Sequence, residues 1–330
     1  MQEVKKGELP VLAVDLGGTR IRTALVSNKG RIMAKENHLT LAEEGSQAVI
    51  GRIVSAIEHL LGLSNIGSSQ LHSICVAAAG AIDTDRGVIT LSPNLPGWRD
   101  IPLKDIVQER CQVDTFLIND ANAAALGEHR FGVGKGTNNL VYITMGTGIG
   151  GGIIIDGNLY SGTCGSAGEI GHMTIDVNGP KCNCGNTGCL EALVSGTALS
   201  REAIRRIRQG ERSSLAEIVK GRIEDITAEA VEEAARSGDS LASDVIFKAA
   251  TYLGIGMVNL VNIFNPDMIV VGGGMANMGD LLLEPARQVV KERAFQISAQ
   301  AVRILPSQLG DDAGLIGAAV FARQKKSPEC

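Results

Sequence analysis

Aromatic side chains are scarce in this chain, with one tryptophan, three tyrosines and six phenylalanines in 330 residues. Long apolar runs are missing as well. Glycine and polar residues interrupt each apolar stretch well before the ~18 positions that a membrane-spanning helix needs, so no membrane association is expected. No long basic run stands out, and 31 cationic against 36 acidic side chains leave a formal charge of −5. Nucleic acid and anionic membranes are therefore set aside as general partners. The N-terminus, Met1-Gln2-Glu3-Val4-Lys5-Lys6, lacks a signal-peptide cleavage pattern. Low-complexity segments are absent, and a soluble cytoplasmic protein is expected. Glycine, by contrast, is abundant. Its 41 residues mark a turn-rich chain with close backbone approaches, and an apolar share of 44% over this length suffices for two domains with sizeable cores.

Cysteine is distributed unevenly. Cys75, Cys111, Cys164 and Cys330 are scattered and fit no framework, whereas Cys182, Cys184 and Cys189 sit within eight residues, ten positions after His172. Three thiolates and one imidazole close a tetrahedral, softly ligated site and leave no open position, which points to structural rather than catalytic Zn²⁺. Gly179-Pro180, Gly185 and Gly188 suit a tight loop bending around an ion. Glu169 lies three residues before His172 and Glu191 two after Cys189. One metal node would thus fix two carboxylates distant in sequence, able to accept hydrogen bonds from adjacent hydroxyls, as a sugar site requires.

Along the chain, residues 9–16 read as a strand, and Asp15-Leu16-Gly17-Gly18-Thr19 turns tightly into a second strand at 20–26. Gly17 and Gly18 can bring N–H groups against an anion, Thr19 adds a hydroxyl, and Asp15 could hold Mg²⁺ through water; an ordinary glycine hairpin explains the same residues. A third strand at 31–36 precedes an amphipathic helix with Ala48, Ile53, Ile57, Leu60 and Leu61 on its buried side. Strands follow at 71–80 and 87–91. Ser92-Pro93-Asn94-Leu95-Pro96-Gly97-Trp98 is too proline-rich for helix or central strand; Asn94 offers a donor and an acceptor to a sugar, while Trp98 reads more readily as a hydrophobic anchor than as a sugar-facing wall. A strand at 113–118 delivers Asn119 and Asp120 to the start of a helix over 121–130. There Asp120 is either an N-cap or a base at the mouth of a sheet.

Two glycine strings imitate known phosphate motifs. The stretch ending Gly134-Lys135-Gly136 fails as a Walker loop, with His129 at the first glycine position and no Ser or Thr after Lys135. Gly146-x-Gly148-x-x-Gly151 matches the dinucleotide fingerprint as a string, but β-branched residues follow it where a helix is required. What remains is strand, glycine turn, strand, about 130 residues after the first such hairpin, suggesting two related α/β halves that each present a phosphate loop. Residues 195–264 read as mainly helical, 268–271 as a buried strand, and Gly272, Gly273 and Gly274 as a third turn where adenine could lie close to backbone. A last strand at 302–306 and a helix at 313–322 complete the chain.

Asp15-Leu-Gly-Gly-Thr19, Asn119-Asp120, residues 145–152, Gly168-Glu-Ile-Gly-His172, Cys182-x-Cys184-Gly-x-x-Gly-Cys189-x-Glu191 and Val270-x-Gly-Gly-Gly274 resemble the ROK family of sugar kinases and repressors. The resemblance covers nearly the whole chain. It implies an α/β, two-domain actin-like ATPase (ribonuclease H-like) fold with a cleft between the lobes. The expected domains are a smaller one at 1–119, joined by the C-terminal helix at about 312–330, and a larger one at 120–311. The resemblance further implies Asp120 as catalytic base, with Asn94, Asn119, Glu169, His172 and Glu191 on the sugar. His172 would use different ring nitrogens for zinc and sugar. Gly17, Gly18, Thr19, Gly146, Thr147 and Gly148 would bind ATP phosphates, and Gly272, Gly273 and Gly274 would lie near adenosine. The 92–98 loop looks like the glucokinase version, and N-acetylmannosamine kinases of the family carry Gly-Arg where this chain has Gly80-Ala81. An ATP- and Mg²⁺-dependent glucokinase is expected, with N-acetylmannosamine, N-acetylglucosamine, mannose or fructose as alternative acceptors. The alternative in another class is a sugar-responsive regulator, for which the roughly nine residues before the first strand leave no DNA-binding domain. A homo-oligomer, dimer or tetramer, is expected.

Overall fold

Fully apolar and alternating runs become strands in the computed structural model, which describes residues 8–92 and 95–326. β1 (Val11–Leu16) is buried throughout and turns into β2 (Arg20–Val26), followed by β3 (Ile32–Leu39), whose side chains alternate half-buried and exposed. That alternation is the mark of a strand covered on one face. α1 (Ser46–Ser64) supplies the cover, burying Val49, Ile50, Ile53, Val54, Ala56, Ile57 and Leu60. Ala48 and Leu61, expected on this stripe, lie at its half-buried margins. Next come β4 (Ser73–Ala78), β5 (Ala81–Asp83), β6 (Val88–Leu91), β7 (Arg99–Ile101), α2 (Leu103–Cys111), β8 (Thr115–Asn119) and α3 (Asp120–Phe131). Trp98 is buried in the core with Ile89, Leu95 and Leu103 and is thus the anchor of its loop. Asn94 lies outside the described residues.

The chain continues through β9 (Leu140–Met145), β10 (Ile149–Ile155) and the short β11 (Asn158–Leu159). Strand rather than helix after Gly148 rules out a dinucleotide-binding turn. The region expected to be helical holds α4 (Leu190–Val194), α5 (Gly196–Arg208), α6 (Leu215–Ile218), α7 (Ala228–Arg236) and α8 (Ser240–Phe264). α8 is long and apolar enough to cross a bilayer by composition, yet Leu253, Met257, Leu260 and Val261 are buried in the core. Asn265, with φ +44°, caps it in the left-handed region ahead of Pro266. β12 (Met268–Gly272), α9 (Asp280–Arg293), α10 (Gln296–Ala301), β13 (Arg303–Pro306) and α11 (Ala313–Lys326) finish the chain.

Two compact units result. The first takes the described residues of 8–136, 152–168 and 308–326, and the second Thr137–Gly151 and Glu169–Ser307. The first sheet has the order β3-β2-β1-β4-β8, with β3, β2 and β1 antiparallel and β1, β4 and β8 parallel. The other has the order β11-β10-β9-β12-β13, with β9, β12 and β13 parallel. The same order twice, a hairpin arm followed by two parallel strands, is the duplication that the paired glycine hairpins imply. β5, β6 and β7 form a small third sheet. α3 and α11 pack with backbones nearly touching: a Cβ on Gly127 would strike the Ala313 carbonyl, and one on Gly317 would strike that of Ala123.

Candidate active site

Parallel strands in the first unit bring two of the sequence-predicted groups to one edge. In register, Leu16 pairs with Ala78 and Ala78 with Asn119. Asp15 and the Asn119-Asp120 pair therefore sit at the carboxyl ends of β1 and β8, which flank β4, two strand spacings or ~10 Å apart. Carboxyl ends of parallel strands are where open α/β sheets bind ligands. Asp15, Gly17, Gly18 and Thr19 line a hollow of about 380 Å³ together with Arg22 and Lys35. Asp15 is buried and ion-paired to Arg22, whose other nitrogen donates to the Asp311 carbonyl at 2.8 Å. Burial pushes the Asp15 carboxyl above its usual range, with Arg22 pulling the other way. Lys35 pairs with Asp312. Arg22 and Lys35 are thus two cations beside this glycine turn, each paired with an acid, and the sequence reading missed them. The signal was available, since a hairpin through Gly17, Gly18 and Thr19 sets Asp15 opposite Arg22.

The choice between cap and base at position 120 has a local answer. Asn119 is the N-cap of α3, its side-chain oxygen accepting from the N–H groups of Ala121 at 3.0 Å and Asn122 at 3.1 Å. Its Nδ2 donates to the Gly80 carbonyl at 3.2 Å. Asp120 is the first helical residue, half-buried, with Oδ1 accepting from the Ala121 N–H at 2.8 Å. The helix does not depend on Asp120 for its cap.

In the second unit, β9 and β12 run parallel with Thr144 beside Gly272. The turns at Gly146, Thr147 and Gly148 and at Gly272, Gly273 and Gly274 are therefore neighbours. Gly273 has φ +81°, and a Cβ there would meet the Met145 backbone. The first turn is pinned to the start of α5, where the Gly196 N–H donates to the Gly146 carbonyl at 2.8 Å and the Thr197 hydroxyl to that of Thr147 at 2.9 Å. Ser195 caps this helix by accepting from the Ala198 N–H.

The thiol cluster lies in the same unit. His172, Cys182, Cys184 and Cys189 offer donor atoms that all fall within 4.8 Å of one another. Cys182 Sγ is 3.8 Å from His172 Nδ1, and Cys184 Sγ is 3.7 Å from Cys189 Sγ. A tetrahedral zinc with bonds of ~2.3 Å to sulfur separates its ligands by ~3.8 Å, so the four groups fit one ion. Burial pushes the Cys189 thiol up to about 12 and Cys182 upward, while the Asn186 backbone N–H holds Cys184 down. A cation among them would offset the penalty of deprotonating the buried pair.

Both neighbouring carboxylates touch this cluster. His172 turns its other nitrogen, Nε2, toward Glu169 at 3.9 Å. Glu191 lies with one oxygen 3.7 Å from Cys182 Sγ, the other accepting from the Ile149 N–H at 2.9 Å. The cluster thus joins Glu169, His172 and Glu191 to the glycine turn before β10. A larger groove of about 1110 Å³ in this unit holds none of the predicted site residues. Its cations are likewise paired with acids, as in Arg205 with Glu202 and Arg208 with Glu224, and size alone does not make it the site.

A family profile described as ROK matches residues 11–325. The glucokinase of Halalkalibacterium halodurans is 39% identical over 317 residues, 96% of each chain. The xylose repressor of Caldicellulosiruptor bescii is 33% identical over 96% of this chain and 78% of its own. A crystal structure of a ROK family glucokinase from Streptomyces griseus in complex with glucose and AMPPNP superposes with a TM-score of 0.84 at 36% identity, covering 96% of this chain and 99% of that one. The fold is the α/β, two-domain actin-like ATPase fold, and the chain belongs to the ROK family.

Proposed function

We propose that the protein is an ATP-dependent glucokinase that transfers the γ-phosphoryl group of ATP to the 6-hydroxyl of glucose. The observation that carries this reading is the similarity, over nearly the full length of the chain, to a glucokinase in sequence and to a glucose-bound ROK glucokinase in fold. Asp120 accepts the hydroxyl proton while the sugar oxygen attacks the γ-phosphorus; the new P–O bond forms as the bond to the β-phosphate bridging oxygen breaks, and ADP leaves. Asn119 capping α3 is consistent with this role, because it relieves Asp120 of the structural task. Asn94, Asn119, Glu169, His172 and Glu191 hold the sugar, their carboxylates accepting hydrogen bonds from its hydroxyls.

The hollow with Gly17, Gly18, Thr19 and Arg22 and the turn at Gly146, Thr147 and Gly148 receive phosphate oxygens, with Gly272, Gly273 and Gly274 beside adenosine. Asp15 would hold Mg²⁺ through water, and that ion supplies charge neutralisation on the phosphates. His172, Cys182, Cys184 and Cys189 would hold structural Zn²⁺, keeping Glu169 and Glu191 in place. A cytoplasmic location goes with this reading.

The repressor relatives favour one second reading, a sugar-binding regulator without turnover. Coupled ADP release over glucose, mannose, fructose, N-acetylmannosamine and N-acetylglucosamine separates the two. Glucose is expected to give the highest kcat/KM. Absence of turnover with all five sugars would overturn the kinase reading, and preference for an N-acetylhexosamine would overturn the glucose assignment.

A further inference from the structure

Two of the chain's five histidines converge on a single carboxylate in the first unit. Glu36 and His38 are two residues apart on β3, so the strand's period of two places both on the face that α1 covers. His59 reaches back from α1. Its Nδ1 lies 2.8 Å from Glu36 Oε2, and His38 Nε2 lies 3.5 Å from the same oxygen. The imidazoles stand edge to face, with centroids 6.2 Å apart and planes at 82°, and all three donor atoms fall within 4.8 Å of one another. His38 Nε2 is shielded from solvent and has no hydrogen-bond partner among the described residues. A buried imidazole nitrogen without such a partner is a loss that the fold does not otherwise recover.

We propose that Glu36, His38 and His59 form a second metal site, taking a divalent transition-metal ion such as Zn²⁺, Co²⁺ or Ni²⁺. Two imidazoles and one carboxylate suit these ions and offer too few oxygens for Ca²⁺ or Mg²⁺. An ion with ~2.1 Å bonds in tetrahedral geometry separates its ligands by ~3.4 Å. The 3.5 Å separation already fits, and the 2.8 Å contact opens by under ~1 Å once the ion replaces the shared proton. His59 is 59% exposed, so its ring is free to adjust and water completes the coordination. The ion ties the edge strand β3 to α1, giving the first unit a cross-link made by side chains rather than by packing.

The test uses the full-length protein with its thiolate cluster already loaded with zinc, equilibrated with Co²⁺ and read by elemental analysis and absorption. The wild type is expected to take up one Co²⁺ per chain more than H38A/H59A, without the intense charge-transfer band that thiolate ligation gives. Its thermal midpoint is expected to rise with Co²⁺ while that of the double variant does not. Cys184→Ser should keep the extra uptake. Equal uptake by wild type and double variant, or uptake that vanishes in Cys184→Ser and survives in the double variant, overturns the site. Should the double variant fold poorly, His59→Ala alone, at an exposed position, gives the same reading.

Discussion

Asp120 shows how a single side chain is defined by its neighbour. Aspartate at the first position of a helix is an ordinary capping residue, and the sequence leaves cap and base open. The structure gives the cap to Asn119, whose oxygen engages two backbone N–H groups. Asp120→Asn should therefore leave the helix intact, keep glucose affinity nearly unchanged and lower kcat by about 10²–10⁴-fold, the usual worth of a positioned general base. Steady-state kinetics beside glucose titration checks this, and near-normal turnover would remove Asp120 from the proposed role. Other residues were hidden from the sequence by their distance along the chain. Glu128 is fully buried and accepts from the Val133 N–H at 3.0 Å and the Leu309 N–H at 2.7 Å. In sequence it is one more acid on an amphipathic helix, because its partners 5 and 181 residues away become visible only in three dimensions.

Elements were legible where their pattern was strong and local. The hairpin strands, the helical stretch before Asn265-Pro266 and the strands feeding the glycine turns follow from periodicity and turn residues alone. Of the small β5-β6-β7 sheet only β6 was legible, as the strand at 87–91; β5 and β7, of three residues each, carry too little alternation. α9 was disguised by Pro285, which reads as a helix breaker yet sits at its sixth residue. The tightest packing was equally invisible, because a glycine in a helix looks like a weakness until its neighbour is known. Gly51 in α1 faces open space, whereas a Cβ on Gly317 in α11 would fall on the Ala123 carbonyl. Gly51→Ala should thus stabilise by about 0.5–1 kcal/mol, as helix propensity dictates. Gly317→Ala should destabilise by about 1–3 kcal/mol, because overpacking outweighs that gain. Both helices lie in the first unit, so urea unfolding of that unit should shift in opposite directions for the two variants. Equal shifts would mean that α3 and α11 are not held at backbone distance.

For the whole molecule, the duplicated sheet order is the part of the architecture most openly written in the sequence, through two glycine hairpins about 130 residues apart. The interleaving of the units is written there only in part: the resemblance leads one to expect the C-terminal helix in the first unit, whereas nothing local marks the return of residues 152–168 to it from within the second. The thiol cluster stands between these cases, since its ligands are plain in the spacing but its effect on the carboxylates is not. Glu191 is fixed from two sides, by the Ile149 N–H and by the neighbourhood of Cys182, while Glu169 meets the cluster through His172. If an ion orders this loop, sugar binding and metal content are linked. A ligand present at 100 times its Kd stabilises a protein by about 2.7 kcal/mol, so glucose should raise the thermal midpoint of the zinc-loaded enzyme measurably. Chelation, checked by circular dichroism to leave the secondary structure near native, should abolish that rise, and added Zn²⁺ should restore it. A chelated protein that kept the full glucose shift would show that Glu169 and Glu191 need no metal to receive the sugar, and the cluster would then be a staple of the loop alone.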